Sequence, residues 1–305
     1  MKITQKLKAF TAVLMATVML ATFAACKKDS EANPKPDLST NVEDAANTVE
    51  QPKLKLSKKV SELKKKNADV VGWLQIPGTT IDEAVAYSKD NQNYLRTTVD
   101  KKWDYFGAYF TDMDNKGILK GTRKDLEKNT ILYGHSVYNG VKNPTFWLGH
   151  KIPDYGVDKV PVDYPDGEKF AQLYKYLDDD FAKKHPYIYF STGEEEMVWE
   201  IFAAYYTDTK FAFNSKESMT DDKAFMAVVN ESIAKSVYDF NVKVDKNDKI
   251  ITLSTCSYIE GPNVKDLRFH VAAKLVDKDA KIKKEANITK NKDKLDYRKN
   301  LPAAK

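Results

Sequence analysis

The sequence predicts a mainly β domain with a few helices packed against it. Three observations carry that prediction. From residue 56 to 276 the chain is built of short runs rich in β-branched and aromatic residues, punctuated by Gly, Pro and Asp. Hydrophobic residues make up 42% and aromatic residues 11% of the 305, enough for a packed core. Both ends lack such runs, which leaves residues 56–276 as one domain of ordinary size.

Residues 1–26 read as an export signal, with Lys2, Lys6 and Lys8 followed by an uncharged run from Ala9 to Ala25. Seventeen residues fall short of the roughly 20 of a spanning helix, so cleavage or lipid modification is expected. Phe23-Ala24-Ala25-Cys26 resembles a bacterial lipoprotein box, with Phe23 where Leu is usual, which makes Cys26 the possible site of lipidation. Residues 27–55 are polar, Pro-bearing and aperiodic, the composition of a disordered linker. A short amphipathic helix over Leu56 to Asn67 leads into VVGWLQIPGTTID, where Gly72 and Pro77-Gly78 punctuate two strands.

Tyr105 to Thr111 reads as a strand closed by DMDNKG. Asp112, Asp114 and Gly117 hint at a calcium loop. Lys116 takes a ligand position, however, and Arg123 stands where a bidentate Glu belongs, so the segment reads as a turn. Thr130 to Tyr133 is a strand ending in Gly134-His135-Ser136, and residues 137–169, rich in Pro, Gly and Asp, form a surface insertion. Phe170, Leu173, Leu177 and Phe181 mark one apolar helical face that stops before Pro186. Strands Tyr187 to Ser191 and Met197 to Tyr206 flank an acidic turn. Phe225, Val228, Val229 and Ile233 then mark a helix over Thr220 to Val237. Lys249 to Val276 is a hairpin whose two strands are separated by a ten-residue polar loop, much longer than an ordinary hairpin turn. Residues 277–305 are a basic charged tail, expected to fray. They hold ten Lys/Arg against five Asp/Glu and so account for the whole net charge of +5. No basic stripe is left on the body, which argues against a nucleic-acid partner.

Chemistry concentrates on the hairpin. Its first strand ends on Cys256, which has no disulfide partner if Cys26 is lipidated or removed, and an unpaired thiol in an exported protein invites a use. A thiol acts as nucleophile only as thiolate and needs a cationic or basic neighbour; His135 and Arg268 are the available ones, both at strand ends that a closed sheet can bring to one rim. In that arrangement His135 exchanges protons with the thiol and a leaving amine, while Arg268 steadies an oxyanion. Asp266 and Glu260 are placed to orient either cation. His270, which shares a strand face with Arg268, is the alternative base, ahead of His150 and His185. A free Cys is as often plain core, a lone His structural and a strand Arg merely solvated, so composition leaves both readings open. No metal-ligand spacing such as HExxH or CxxC occurs.

Thr252 to Cys256 (TLSTC), Tyr133 to His135 (YGH) and Leu267-Arg268-Phe269, in that spacing, resemble the sortases, cysteine transpeptidases of Gram-positive cell surfaces. VVGWLQIPGTTID, FAQLYKYLDDDFAKKHPYIYF and WEIFAAYYTD look like the class B branch, and the resemblance spans about residues 56–276. It implies a closed β-barrel with flanking N-terminal and inserted helices, a catalytic domain over 56–276 and a triad of Cys256, His135 and Arg268. It also implies cleavage of a Pro-x-Thr-Gly or Pro-x-Thr-Asn sorting signal through a thioester, with no cofactor and no metal in the catalytic step. The implied partners are surface proteins bearing that C-terminal signal, peptidoglycan or its precursor as amine acceptor, and the membrane, held through the N-terminal signal or lipid at the extracytoplasmic face. Two alternatives stay beside it: an enzyme of this fold that mainly hydrolyses, and a lipid-anchored binding module with an inert thiol. Residues 137–169 are extra to the class B pattern, in which the helix that starts here at Phe170 follows the histidine more closely.

Overall fold

Period-two alternation produces eight barrel strands because each can turn one face into a common interior. They are β1 (Val70–Gln75), β2 (Asp82–Tyr87), β3 (Tyr109–Thr111), β4 (Asn129–Tyr133), β5 (Tyr187–Thr192), β6 (Val198–Asp208), β7 (Ile250–Cys256) and β8 (Leu267–Leu275). Hydrogen bonding runs β7-β8-β6-β5-β1-β2-β3-β4 and closes from β4 back to β7, so the sheet has no free edge. Neighbours are antiparallel except for β2 with β3 and β4 with β7. The computed structural model describes residues 47–137, 163, 165, 167–257, 259 and 266–297. The export signal with Cys26, most of the 27–55 linker, most of the 137–169 insertion, His150 and Glu260 lie outside the described residues.

Leu74, Val85, Leu132, Ile188, Phe190, Trp199, Leu253 and Phe269 fill the barrel. A second apolar layer lies outside β6, β7 and β8, where Phe202, Ile250 and Ala272 meet Phe225, Val228 and Val229. β7 is therefore covered on both faces, and its first six residues are all buried. Only its last residue, Cys256, is partly exposed.

Helices α1 (Leu56–Lys64), α2 (Asp179–Lys184), α3 (Lys216–Thr220) and α4 (Asp222–Lys235) flank the barrel. Val60 of α1 packs with Val70 and Ala84. The single helix expected from Phe170 onward is divided: Phe170–Leu177 is a 3-10 helix, and α2 begins afresh after Asp178. Asp178 is extended and its carboxylate accepts from the Phe181 N–H at 2.8 Å, a cap that stops one helix and starts the next. Asp221 does the same ahead of α4 by accepting from the Ala224 N–H at 2.8 Å, so that helix starts two residues later than its apolar pattern suggested. Ile233, expected on the packed face, is exposed. The strand expected from Tyr105 starts only at Tyr109, because Asp104 accepts from the Phe106 N–H and Gly107 turns the chain with φ +56°.

Residues 277–297 do not fray. Ile282–Lys283 pairs with Thr48–Val49, and Thr289–Lys290 pairs with Tyr238–Asp239. Ile282 buries itself against Tyr187 and Val198, and the Tyr297 ring lies 5.2 Å from that of Tyr206. Charge density misled the expectation: a few apolar residues and backbone pairings suffice to lay a basic segment along the body. The insertion, in turn, is rooted on a short ladder, Ser136–Val137 against Glu168–Lys169.

Candidate active site

Register pairs two of the three sequence-picked residues and brings the strand that leads to the third alongside them. Cys256, last in β7, is the direct cross-strand partner of Arg268, second in β8. Cross-strand partners on one face stand roughly 4.5–5.5 Å apart at Cβ. β4 runs parallel to β7 with Tyr133 opposite Ser254. His135 follows two residues beyond that last pair, on the chain leaving the same end of the sheet. The Gly134 N–H donates to the Ser254 carbonyl at 3.3 Å and the Thr255 hydroxyl donates to the Gly134 carbonyl at 2.8 Å, which extends the pairing past the end of β4. Glycine is needed at 134, since a Cβ there would stand 2.7 Å from the Tyr109 ring and 2.8 Å from Phe170.

The strand end that carries the thiol is fastened from two sides. The Tyr174 hydroxyl donates to the Cys256 carbonyl at 2.7 Å, and the Ser257 hydroxyl donates to the buried Asp163 carboxylate at 2.7 Å. Neither Tyr174 nor Asp163 was visible as a site residue in the sequence. Tyr174 reads as one more aromatic of a helical face, and Asp163 belongs to the insertion. Arg268 is half-buried and its Nη1 donates to the Leu267 carbonyl at 2.8 Å.

His135 sits partly buried, with its carbonyl accepting from the Phe170 N–H at 2.9 Å. Its Nε2 lies 2.9 Å from the Leu95 carbonyl and 2.8 Å from Arg96 Nη1. Burial pushes the imidazole pKa below its ordinary value; the Leu95 carbonyl opposes that, while the charges of Arg96 and Lys169 add to it. Arg96 was missed by sequence reasoning because 39 residues separate it from His135 and no spacing rule connects them.

The alternative base is set aside by its surroundings. His270 is fully buried, with Nε2 3.0 Å from the Ser254 hydroxyl, Nδ1 3.2 Å from the Tyr205 hydroxyl, and the Tyr205 hydroxyl 2.7 Å from that of Ser232. Burial, then Arg268 and Lys235, hold its pKa down to about 3. It is a neutral member of a closed polar chain, and its effect is on stability. As pH falls below the ordinary histidine value of about 6.5, the unfolded chain takes up a proton that the native state refuses until about pH 3. Native stability should therefore fall with falling pH across that window, by up to about 1.4 kcal/mol per pH unit. Urea denaturation at pH 7, 5 and 4 should show that loss in the parent and a shallower one in His270→Gln; equal slopes in the two proteins would contradict it.

His185 lies elsewhere, its ring 4.5 Å from Phe181. Asp266 is exposed just before β8, with its carbonyl accepting from the Thr209 N–H at 2.9 Å. Among the described residues, no cluster of His, Cys, Asp and Glu is arranged to hold a metal ion, and no helix is long and apolar enough to cross a membrane.

No protein-family model matches the chain. Sortase B of Listeria monocytogenes is 36% identical over 197 residues, which is 64% of this chain and 65% of that protein, so the chain spans just under two thirds of that curated relative. The solved structure of sortase B from Listeria monocytogenes is 33% identical, covering 71% of this chain and 98% of its own, with a TM-score of 0.50. A Staphylococcus aureus sortase B–substrate complex is 27% identical over 73% of this chain and 87% of its own, with a TM-score of 0.54. An eight-stranded closed barrel, flanking helices and these identities agree on one assignment: the chain belongs to the class B sortase family.

Proposed function

We propose that the chain is a cysteine transpeptidase in which Cys256 is the nucleophile, His135 the proton carrier and Arg268 the oxyanion donor. The observation that supports this most is the shared end of the sheet, with Cys256 and Arg268 as direct cross-strand partners and His135 two residues past the end of the parallel neighbouring strand. The thiolate of Cys256 attacks the Thr carbonyl of a Pro-x-Thr-Gly or Pro-x-Thr-Asn sorting signal, and the carbonyl electrons move onto oxygen. Arg268 donates to that oxyanion. Collapse breaks the C–N bond, the departing amine takes a proton from the His135 imidazolium, and a thioester remains. An incoming cell-wall amine attacks the thioester, His135 takes its proton, and the thiolate leaves. The S. aureus neighbour was solved as a substrate complex, which is consistent with a peptide substrate here.

The catalytic unit proposed here runs from about residue 47 to 297, wider than 56–276, because both flanks pair with one another and with the body. Residues 1–26 serve as export signal, with Cys26 as the lipid attachment point, and residues 27–46 as spacer, which holds the enzyme at the extracytoplasmic face of the membrane. Its partners there are surface proteins carrying the sorting signal and peptidoglycan or its precursor.

Intact mass of the full chain after incubation with a panel of Pro-x-Thr-Gly and Pro-x-Thr-Asn peptides tests this. The expected result is an adduct of the N-terminal peptide fragment that hydroxylamine discharges and that triglycine converts to a ligated product. Hydrolysed product in preference to ligated product, with the amine in excess, would make the chain a peptidase. An unreactive thiol with no adduct would make it a binding module.

A further inference from the structure

His135 Nε2 has two neighbours that cannot both be satisfied. The Leu95 carbonyl at 2.9 Å needs a proton on that nitrogen, whereas Arg96 Nη1 at 2.8 Å needs a lone pair there. The first contact suits the imidazolium and the Nε2-protonated tautomer. The second suits only the neutral ring whose proton sits on Nδ1. From this geometry we propose that Arg96 is a positioning residue that stabilises the neutral, Nδ1-protonated form of His135 and so sets the pH at which the site gains its acid.

Arg96 is well placed for that part. Tyr94, two residues before it, is fully buried and bonded to Asp69 and Asn67, which fixes the loop. The guanidinium lies 4.6 Å from the Tyr105 ring centroid, and the two protons of Nη1 are shared among the Tyr105 carbonyl at 2.6 Å, the Leu95 carbonyl at 3.2 Å and the imidazole. Among the described residues Arg96 makes no ion pair with a carboxylate, so its charge acts on the imidazole without a local counterion. The other charged groups around His135 are differently engaged. Lys169 pairs with Glu83 at 2.5 Å, Asp104 accepts from the Phe106 N–H at 2.7 Å, and Arg268 stands across β7 on β8 beside the Cys256 thiol.

The inference rests on the reading of His135 as proton carrier and extends it. A departing amine leaves readily only if it takes a proton, and a neutral imidazole that gave up its single proton would become an imidazolate. The Arg96-bound tautomer therefore cannot serve as the acid of the first half-reaction, although a neutral ring is what later takes the proton of the incoming amine. Removing Arg96 favours the imidazolium, held through Nε2–H to the Leu95 carbonyl. Catalysis at mildly alkaline pH should then rise, because the loss of the imidazolium moves to higher pH.

The chain has four histidines, so histidine-labelled full chain gives four imidazole titrations by NMR, with His135 assigned by its disappearance in His135→Ala. Arg96→Gln is expected to raise the His135 pKa by about one unit and move the neutral ring toward the Nε2–H tautomer, as read from the nitrogen shifts. Arg96→Lys, which keeps the charge but loses the fork and the stacking on Tyr105, should move the His135 pKa less than Arg96→Gln does. The alkaline limb of kcat/KM should move with the NMR value, and the difference between parent and Gln variant should shrink as salt is raised. An unchanged His135 pKa and tautomer ratio in Arg96→Gln would overturn the inference. The two readings fail separately. Full thioester formation by His135→Ala would remove the catalytic role of His135 and leave the NMR result standing, whereas an unmoved titration would remove the role of Arg96 and leave catalysis by His135 intact.

Discussion

Replacing Cys256 by alanine is expected to abolish thioester formation and to lower turnover on the order of 10⁴-fold or more, the scale seen when a covalent nucleophile is removed. The fold should survive. The interactions that hold the end of β7 use other atoms: Tyr174 bonds the backbone carbonyl of residue 256, Ser257 bonds Asp163, and Thr255 bonds the Gly134 carbonyl. The thiol is partly exposed, so its loss opens little cavity, and the stability change should stay within about 1 kcal/mol. Cys256→Ser keeps the shape but offers an alcohol that the imidazole must deprotonate, and it should form adduct far more slowly than the parent. Intact mass with the preferred peptide, together with a thermal melt, reads both effects. An adduct on the alanine variant would place the nucleophile elsewhere; an unfolded alanine variant would mean that the thiol is core after all.

The sequence made the chemistry legible where it was written as strand alternation. LRFHV alternates cleanly and TLSTC is a β-rich run, and a hairpin of the two puts Cys256 and Arg268 near its mouth before any coordinate is known; the register pairs them directly. His135 was legible through the glycine before it, which marks a strand end and proves to be required by the Tyr109 and Phe170 rings. Illegible were features that depend on who packs beside whom. The Asp178 and Asp221 caps divide runs whose apolar period continues through them, so periodicity alone extends the helix too far. The basic segment after Val276 looked solvated because its charges outnumber its apolar residues, yet Ile282 packs against Tyr187 and Val198 and Ile288 against the core. His270 shares a strand face with Arg268, so its burial could be told from a catalytic role only once Tyr205, Ser232 and Phe213 closed over it. Arg96 reaches His135 through a loop whose position no local pattern specifies.

Arg268→Lys should lower kcat by about 10²–10³-fold while leaving KM nearly unchanged, the loss expected when one oxyanion donor is misplaced. The argument turns on shape as well as charge. One arm of the guanidinium is fixed to the Leu267 carbonyl at 2.8 Å, which orients the planar fork across from Cys256. A lysine ammonium keeps the positive charge near the thiol but has neither the fork nor that anchor, so it attracts the thiolate without meeting an oxyanion at a fixed place. The distinction from Arg96 lies in the pH profile. Losing Arg96 moves the alkaline limb with the plateau kept, whereas losing the Arg268 fork lowers the plateau at every pH and leaves the limb near its parent position. Arg268→Lys at full rate across that range would show that the guanidinium serves the structure of the rim alone. A rise in KM with kcat intact would instead make it a peptide-binding group, with oxyanion stabilisation left to backbone N–H groups near Cys256.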